Sequence, residues 1–155
     1  MSYFKNFFLS FLILLSLFLN KALANSEIFN SLKEGNKIVF IRHAIAPGNG
    51  DPENFVINDC STQRNLSKKG VEQSKKIGNF FRKNKIKIDA VLSSEWCRCK
   101  DTAFHAFENF ITFDALNSFY DPKFSKNEEL QIINLKKLIE SWESDKNLIL
   151  ITHFV

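Results

Sequence analysis

The chain has no cluster of cysteine and histidine at metal-ligand spacing, and with only three of each in 155 residues no bound metal is expected. It lacks a complete glycine-rich phosphate loop, which argues against nucleoside-triphosphate chemistry. It lacks a basic run interleaved with aromatics, so nucleic acid is a poor partner. After the N-terminal segment there is no internal repeat and no low-complexity tract. No cofactor is implied. What remains suits one globular domain: 45% hydrophobic residues and a net charge of +4. Residues 1–24 contain no acid, and their Lys5 and Lys21 account for half of that charge, so the rest of the chain is only weakly basic.

The acid-free segment reads as an export signal. Lys5 precedes an uncharged apolar run, Phe7–Leu19, interrupted by Ser10 and Ser16, as long as a signal-peptide core and short for a membrane span of about 20 residues. Ala22-Leu23-Ala24 supplies small residues where a signal peptidase reads. The expectation is a signal peptide over 1–24, a domain over 25–155 starting at Asn25, no stable membrane anchor after cleavage, and a periplasmic or secreted location. An uncleaved N-terminal anchor is the alternative. Outside the cytoplasm thiols can oxidise. A bridge from Cys60 to Cys97 or Cys99 would tie the loop after the first strand to the start of a helix and leave one thiol over. Three unpaired thiols are the alternative.

Along the domain, strand and helix signals alternate. Residues 26–34 read as a short helix with Ser26 as N-cap and Gly35 at the left-handed position after it. Lys37–Ile41 is a strand whose continuous apolar run, Ile38–Ile41, suggests burial on both faces. A long irregular loop follows from about Ala44 to Asn65, a length often tied to function. Ser67 begins a helix with Val71, Ile77 and Phe81 toward the core and its lysines in solvent. Ile88–Leu92 is a second strand, running into Ser93-Ser94 and a helix from about Ser94 to Phe107. Ile111–Phe113 is a short third strand. Ile132, Leu135, Ile139 and Trp142 mark the core stripe of a last helix. Asn147–Thr152 is a further strand ending at His153. This order argues for an α/β fold, a mostly parallel sheet between helical layers.

In a parallel sheet the strand ends share one rim, where ligands bind. Arg42-His43, Ser93-Ser94 with Arg98, and Thr152-His153 would converge there, two imidazoles and two guanidiniums suited to a dianion. His105 stands outside this set and reads as a packing or surface histidine.

Four segments carry a resemblance. They are Arg42-His43-Ala44; Leu66-Ser67-Lys68-Lys69-Gly70-Val71-Glu72-Gln73; Ser93-Ser94-Glu95-Trp96-Cys97-Arg98-Cys99-Lys100-Asp101-Thr102-Ala103; and Ile149-Leu150-Ile151-Thr152-His153. In that order, from Lys37 onward, the chain resembles the histidine phosphatase superfamily, the phosphoglycerate-mutase-like fold. The resemblance implies a three-layer α/β/α domain and a phosphatase in which His43 carries the phosphoryl group. Arg42 and Arg98 would grip the nonbridging oxygens, with Arg64 as a further phosphate-facing arginine, and His153 would hydrogen-bond the same oxygens. The expected substrate is a phosphorylated small molecule or glycan.

Three departures from the family pattern stand out. Ala44 replaces the usual glycine. Ser118, in Ala115-Leu116-Asn117-Ser118, stands where relatives often carry the general acid, leaving Asp114, Asp121 or Asp59 as substitutes. Relatives also continue past the second histidine, so the resemblance suggests a C-terminally incomplete domain. A non-catalytic phosphate-binding module, or an inactive truncated relative, is the rival reading.

Overall fold

A computed structural model describes residues 26–153; the expected export signal and cleavage point, in residues 1–25, and residues 154–155 lie outside the described residues. The elements are α1 (26–34), β1 (Ile38–Arg42), α2 (Lys68–Lys83), β2 (Ile88–Ser93), α3 (Cys97–Phe107), β3 (Ile111–Thr112), α4 (Glu128–Ser141) and β4 (Asn147–Thr152). Among the described residues the four strands form one all-parallel sheet in the order β1-β4-β2-β3.

The middle of the sheet explains its sequence. Leu148, Ile149, Leu150 and Ile151 of β4 are at most 2% exposed. Burying such a side chain contributes about 1.5–3 kcal/mol. Their side chains alternate between faces, as strand geometry requires. Ile149 and Ile151 join Phe81, Val91, Cys99 and Ala103 on the α2–α3 side, with Leu32 of α1 packed at the edge. Leu148 and Leu150 join Leu116 on the other side, against Leu135, Leu138 and Trp142 of α4 and its C-cap. Helical layers therefore cover both faces.

Several local expectations are corrected. β1 is an edge strand, not one buried on both faces: Phe40 is 51% exposed, and β4 holds the buried position between β1 and β2. On α4, Leu135, Leu138 and Trp142 face the core, whereas Ile132 and Ile139 are each 38% exposed. Leu138 lies one turn beyond Leu135 on the same face, so it replaces Ile139 in the stripe. α3 starts at Cys97 rather than Ser94, with Trp96 at its N-cap and the Ser94 hydroxyl accepting the Trp96 amide while it also meets His153 and Asn117. Gly35 takes φ +84 after α1, a conformation that costs glycine little.

α2 buries Gly70, Ser74, Gly78 and Phe81. The three small residues recur every four positions and let neighbouring backbone approach closely. A Cβ at Gly78 would lie 1.9 Å from the Ala106 carbonyl oxygen of α3.

Candidate active site

The parallel sheet brings three chain segments to one rim. The His43 amide donates to the Thr152 carbonyl at 2.9 Å, and the Ser94 amide donates to the Ile151 carbonyl at 2.9 Å. Both segments are thus registered on β4, whose end carries His153. His43 and His153 are each 8% exposed, and their ring centroids are 5.6 Å apart.

Two of the four segments noted in the sequence fasten the backbone just after His43. The Ser67 amide donates to the Ile45 carbonyl at 3.0 Å, and the Ile45 amide donates to Gln73 Oε1 at 3.0 Å. A Cβ at Gly70 would lie 2.2 Å from the Ile45 carbonyl oxygen, so only glycine admits this approach. From α3, Thr102 Oγ1 accepts the Ala44 amide at 2.9 Å and donates to the Arg98 carbonyl at 2.7 Å. Ala44 itself is 2% exposed. The helix-start and Arg-x-x-x-Thr spacings therefore position the loop that presents His43.

The His43 ring is oriented by its own neighbour: Nδ1 lies 2.8 Å from the Ala44 carbonyl. A carbonyl only accepts, so Nδ1 carries the hydrogen and Nε2 holds the lone pair. Burial lowers its pKa to about 4, helped by the Arg98, Arg42 and Arg64 charges and opposed by the Ala44 hydrogen bond. The imidazole is neutral at neutral pH, a form that can act as a nucleophile.

His153 is held by a polar chain. Arg98 Nη2 donates to Nδ1 at 3.3 Å, and Nε2 lies 2.8 Å from Ser94 Oγ. Arginine only donates, so Nε2 bears the hydrogen and Ser94 Oγ accepts it. Ser94 in turn donates to Asn117 Oδ1 at 3.0 Å, and Asn117 Nδ2 donates to Glu95 Oε2 at 2.6 Å. Burial, with Arg98 beside it, pushes the His153 pKa down to about 2. As placed, both of its ring nitrogens have protein partners, so a hydrogen bond to a phosphate oxygen requires one of these contacts to be exchanged.

The cavity beside these rings has a volume of about 680 Å³. Arg42, His43, Arg64, Arg98 and His153 all line it. Arg64 is also a staple of the long loop: Nε donates to the Gly50 carbonyl at 2.7 Å and Nη1 to the Ala46 carbonyl at 2.5 Å. Ser118 lines the cavity. Of the three substitute acids, Asp121 lines it, Asp114 lines a separate smaller cavity, and Asp59 is exposed and caps the turn at Cys60–Thr62. His105 sits on α3 and does not line the cavity.

The long loop is bound to the start of α3. Cys60 is bridged to Cys97, which selects one of the two pairings that the sequence left open. Gln63 Oε1 accepts the Cys97 amide at 3.0 Å, while its Nε2 donates to the Val56 and Ile57 carbonyls. Cys99 is the free thiol; burial raises its pKa to about 12, so it is an inert packing group against His153.

Sequence reasoning missed Asp51, Gln63, Asn117 and the role of Ser94. Asp51 lines the cavity and pairs with Arg98 at 2.9 Å. Its one sequence signal is its place after Gly48-Asn49-Gly50 in the long loop. Among the described residues no group of three or more His, Cys, Asp or Glu could hold a metal ion, and no helix is long and apolar enough to cross a membrane.

No family model matches the sequence, and no curated protein matches it. Solved structures do. A protein assigned as phosphohistidine phosphatase SixA from Agrobacterium tumefaciens aligns over 75% of this chain and 68% of its own, at 20% identity and a TM-score of 0.50. Another, from Nakamurella multipartitia, aligns over 75% of this chain and 58% of its own, at 19% identity and a TM-score of 0.51. The protein histidine phosphatase SixA complexed with tungstate aligns over 76% and 69%, at 17% identity and a TM-score of 0.48. At these identities the likeness concerns architecture alone: with the structures at TM-scores of 0.50 and 0.51 this chain shares its fold, a parallel sheet between helical layers.

Proposed function

We propose that this protein is a phosphatase that works through a phosphohistidine on His43. The observation that carries the reading is the His43 ring. Its Nδ1–H is fixed on the Ala44 carbonyl, which leaves Nε2 with the lone pair, and the residue lines a cavity together with Arg42, Arg64 and Arg98. In the first step that lone pair attacks phosphorus, and the bond from phosphorus to the leaving oxygen or nitrogen breaks with its electron pair. In the second, water attacks phosphorus, the phosphorus–nitrogen bond breaks, and the imidazole returns neutral. Guanidiniums suit the oxygens of the transferring group because they stay charged and bind in a fork. Fixed donors around the developing charge often lower the barrier of such reactions more than any other effect.

The substrate reading follows from the acid. Ser118 cannot protonate a poor leaving group efficiently near neutral pH, and Asp121 lines the cavity but accepts the Lys123 amide at 3.0 Å. Phosphorylated small molecules or glycans fit the cavity volume, and good leaving groups are favoured. We assign the protein to the periplasm or the outside of the cell, on the basis of the Phe7–Leu19 run and Ala22-Leu23-Ala24. A disulfide between Cys60 and Cys97 supports this, since such bonds persist in oxidising compartments. N-terminal sequencing of the exported protein should start at Asn25; a start at Met1 refutes cleavage.

The test of function is turnover of p-nitrophenyl phosphate, whose leaving group needs little protonation. The wild-type chain should release phosphate and His43→Ala should not. If the protein binds orthophosphate without His43-dependent turnover, it is a binding module that kept the cavity alone.

A further inference from the structure

Arg98 is buried, 5% exposed at its side chain, and the group that meets its charge is Asp51, 6% exposed. Nη1 donates to both carboxylate oxygens at 2.9 Å. Two further donors converge on the same carboxylate: the Arg64 backbone amide on Oδ1 at 2.9 Å and the Trp96 indole Nε1–H on Oδ2 at 3.1 Å. Asp51 thus joins the long loop, the Arg64 backbone, the Trp96 indole before α3 and the arginine that touches His153. Gly50, directly before Asp51, takes the left-handed conformation at φ +65. On its C-terminal side the loop is anchored, since Pro52 follows directly and the Cys60–Cys97 bridge ties the same loop to α3.

We propose that Asp51 is the positioning residue of the site: it fixes the Arg98 guanidinium so that Nη2 faces His153 and the cavity. The reading of Arg98 as a phosphate-gripping group, given under the proposed function, underlies this assignment. An arginine side chain has several rotatable bonds, and without a fixed partner its fork would sample many orientations. Small misplacements of a transition-state group are costly, on the order of 100-fold in rate for about 1 Å. Asp51 meets Arg98 through carboxylate lone pairs, so it acts here as an acceptor and not as the acid that Ser118 fails to supply.

The test has two parts. First, nitrogen-15 NMR of the protein without added ligand should show Arg98 Nη signals that are separate, because rotation of the guanidinium is hindered. In Asp51→Asn, which keeps the volume and removes the charge, they should average. Unchanged Nη signals in Asp51→Asn overturn the proposal. Second, Asp51→Ala should lower kcat/KM for p-nitrophenyl phosphate on the order of 10- to 100-fold in the wild-type background. In the Arg98→Ala background it should cost less than about twofold, since the two residues act as one unit. Additive losses overturn the proposal. Asp51→Glu should recover part of the rate. If Asp51→Ala leaves an unpaired buried charge and does not fold, the double variant removes both charges, and Asp51→Asn still reports. Absence of His43-dependent turnover in the wild type would end the phosphatase reading, while the NMR comparison would still decide the role of Asp51.

Discussion

The His43 and His153 rings meet edge to face, with centroids 5.6 Å apart and planes inclined at 64°, although they come from opposite ends of the described chain. Their backbones are joined where the His43 amide donates to the Thr152 carbonyl. Each imidazole is neutral for the same reason, burial beside the arginines. That shared burial has a measurable consequence.

His43 should titrate near pH 4, not near 6.5, when its Cε1–H is followed by NMR. Linkage sets the sign for stability. Below about pH 6.5 the unfolded imidazole binds a proton, while the folded one does not until about pH 4. Unfolding is therefore favoured as pH falls through that window, by up to about 1.4 kcal/mol per pH unit for each histidine so placed. Denaturant midpoints at pH 7.5 and pH 5 check this. Equal midpoints, or a His43 titration at 6.5, would contradict the buried neutral pair.

Thr102→Val removes the acceptor for the Ala44 amide, which lies next to His43, the proposed nucleophile. A buried donor left unsatisfied costs about 1–3 kcal/mol. The variant should be destabilised by that amount, and kcat should fall because the His43 loop is no longer fastened to α3. Turnover at the wild-type level would show that the loop is held by Ser67 and Gln73 alone.

Removing the Cys60–Cys97 bridge, which closes a separation of 37 residues, should cost about 4 kcal/mol by loop entropy. The Cys60→Ser/Cys97→Ser protein should unfold at lower denaturant. Thiol titration of unfolded, unreduced wild type should find one free group, Cys99; finding three would exclude the bridge.

Gly78→Ala should destabilise by about 1–3 kcal/mol or more, because the new methyl would lie 1.9 Å from the Ala106 carbonyl oxygen. The contact is with backbone, which cannot swing away. Thermal denaturation measures it, and an unchanged Tm would mean that α2 and α3 can separate freely.

The strand-end residues were readable in the chain because parallel strands deliver their C-terminal neighbours to one rim whatever the details of packing. His43 and His153 followed from that rule, whereas Arg98, inside α3, was singled out by the resemblance of Ser93-Ser94-Glu95-Trp96-Cys97-Arg98 to the family pattern. Asp51 and Gln63 were not readable, since an irregular loop has no period to say which side chains turn inward. Two apolar patterns also misled. Ile38–Ile41 is as hydrophobic as Leu148–Ile151, yet only the second is sheathed by strands on both sides. On α4, Leu138 rather than Ile139 reaches the core, a choice made by the helix's rotation against Leu148 and Leu150.

By itself the sequence determined the alternation of strands and helices and the chemical identity of the groups at the rim. Local periodicity and residue type carry that information without reference to the rest of the chain. Tertiary structure alone decided which strand lies inside, which cysteine meets Cys60, and which carboxylate meets Arg98. Those outcomes depend on contacts between segments distant in sequence, where the burial of one charge or one methyl group is settled by everything packed around it.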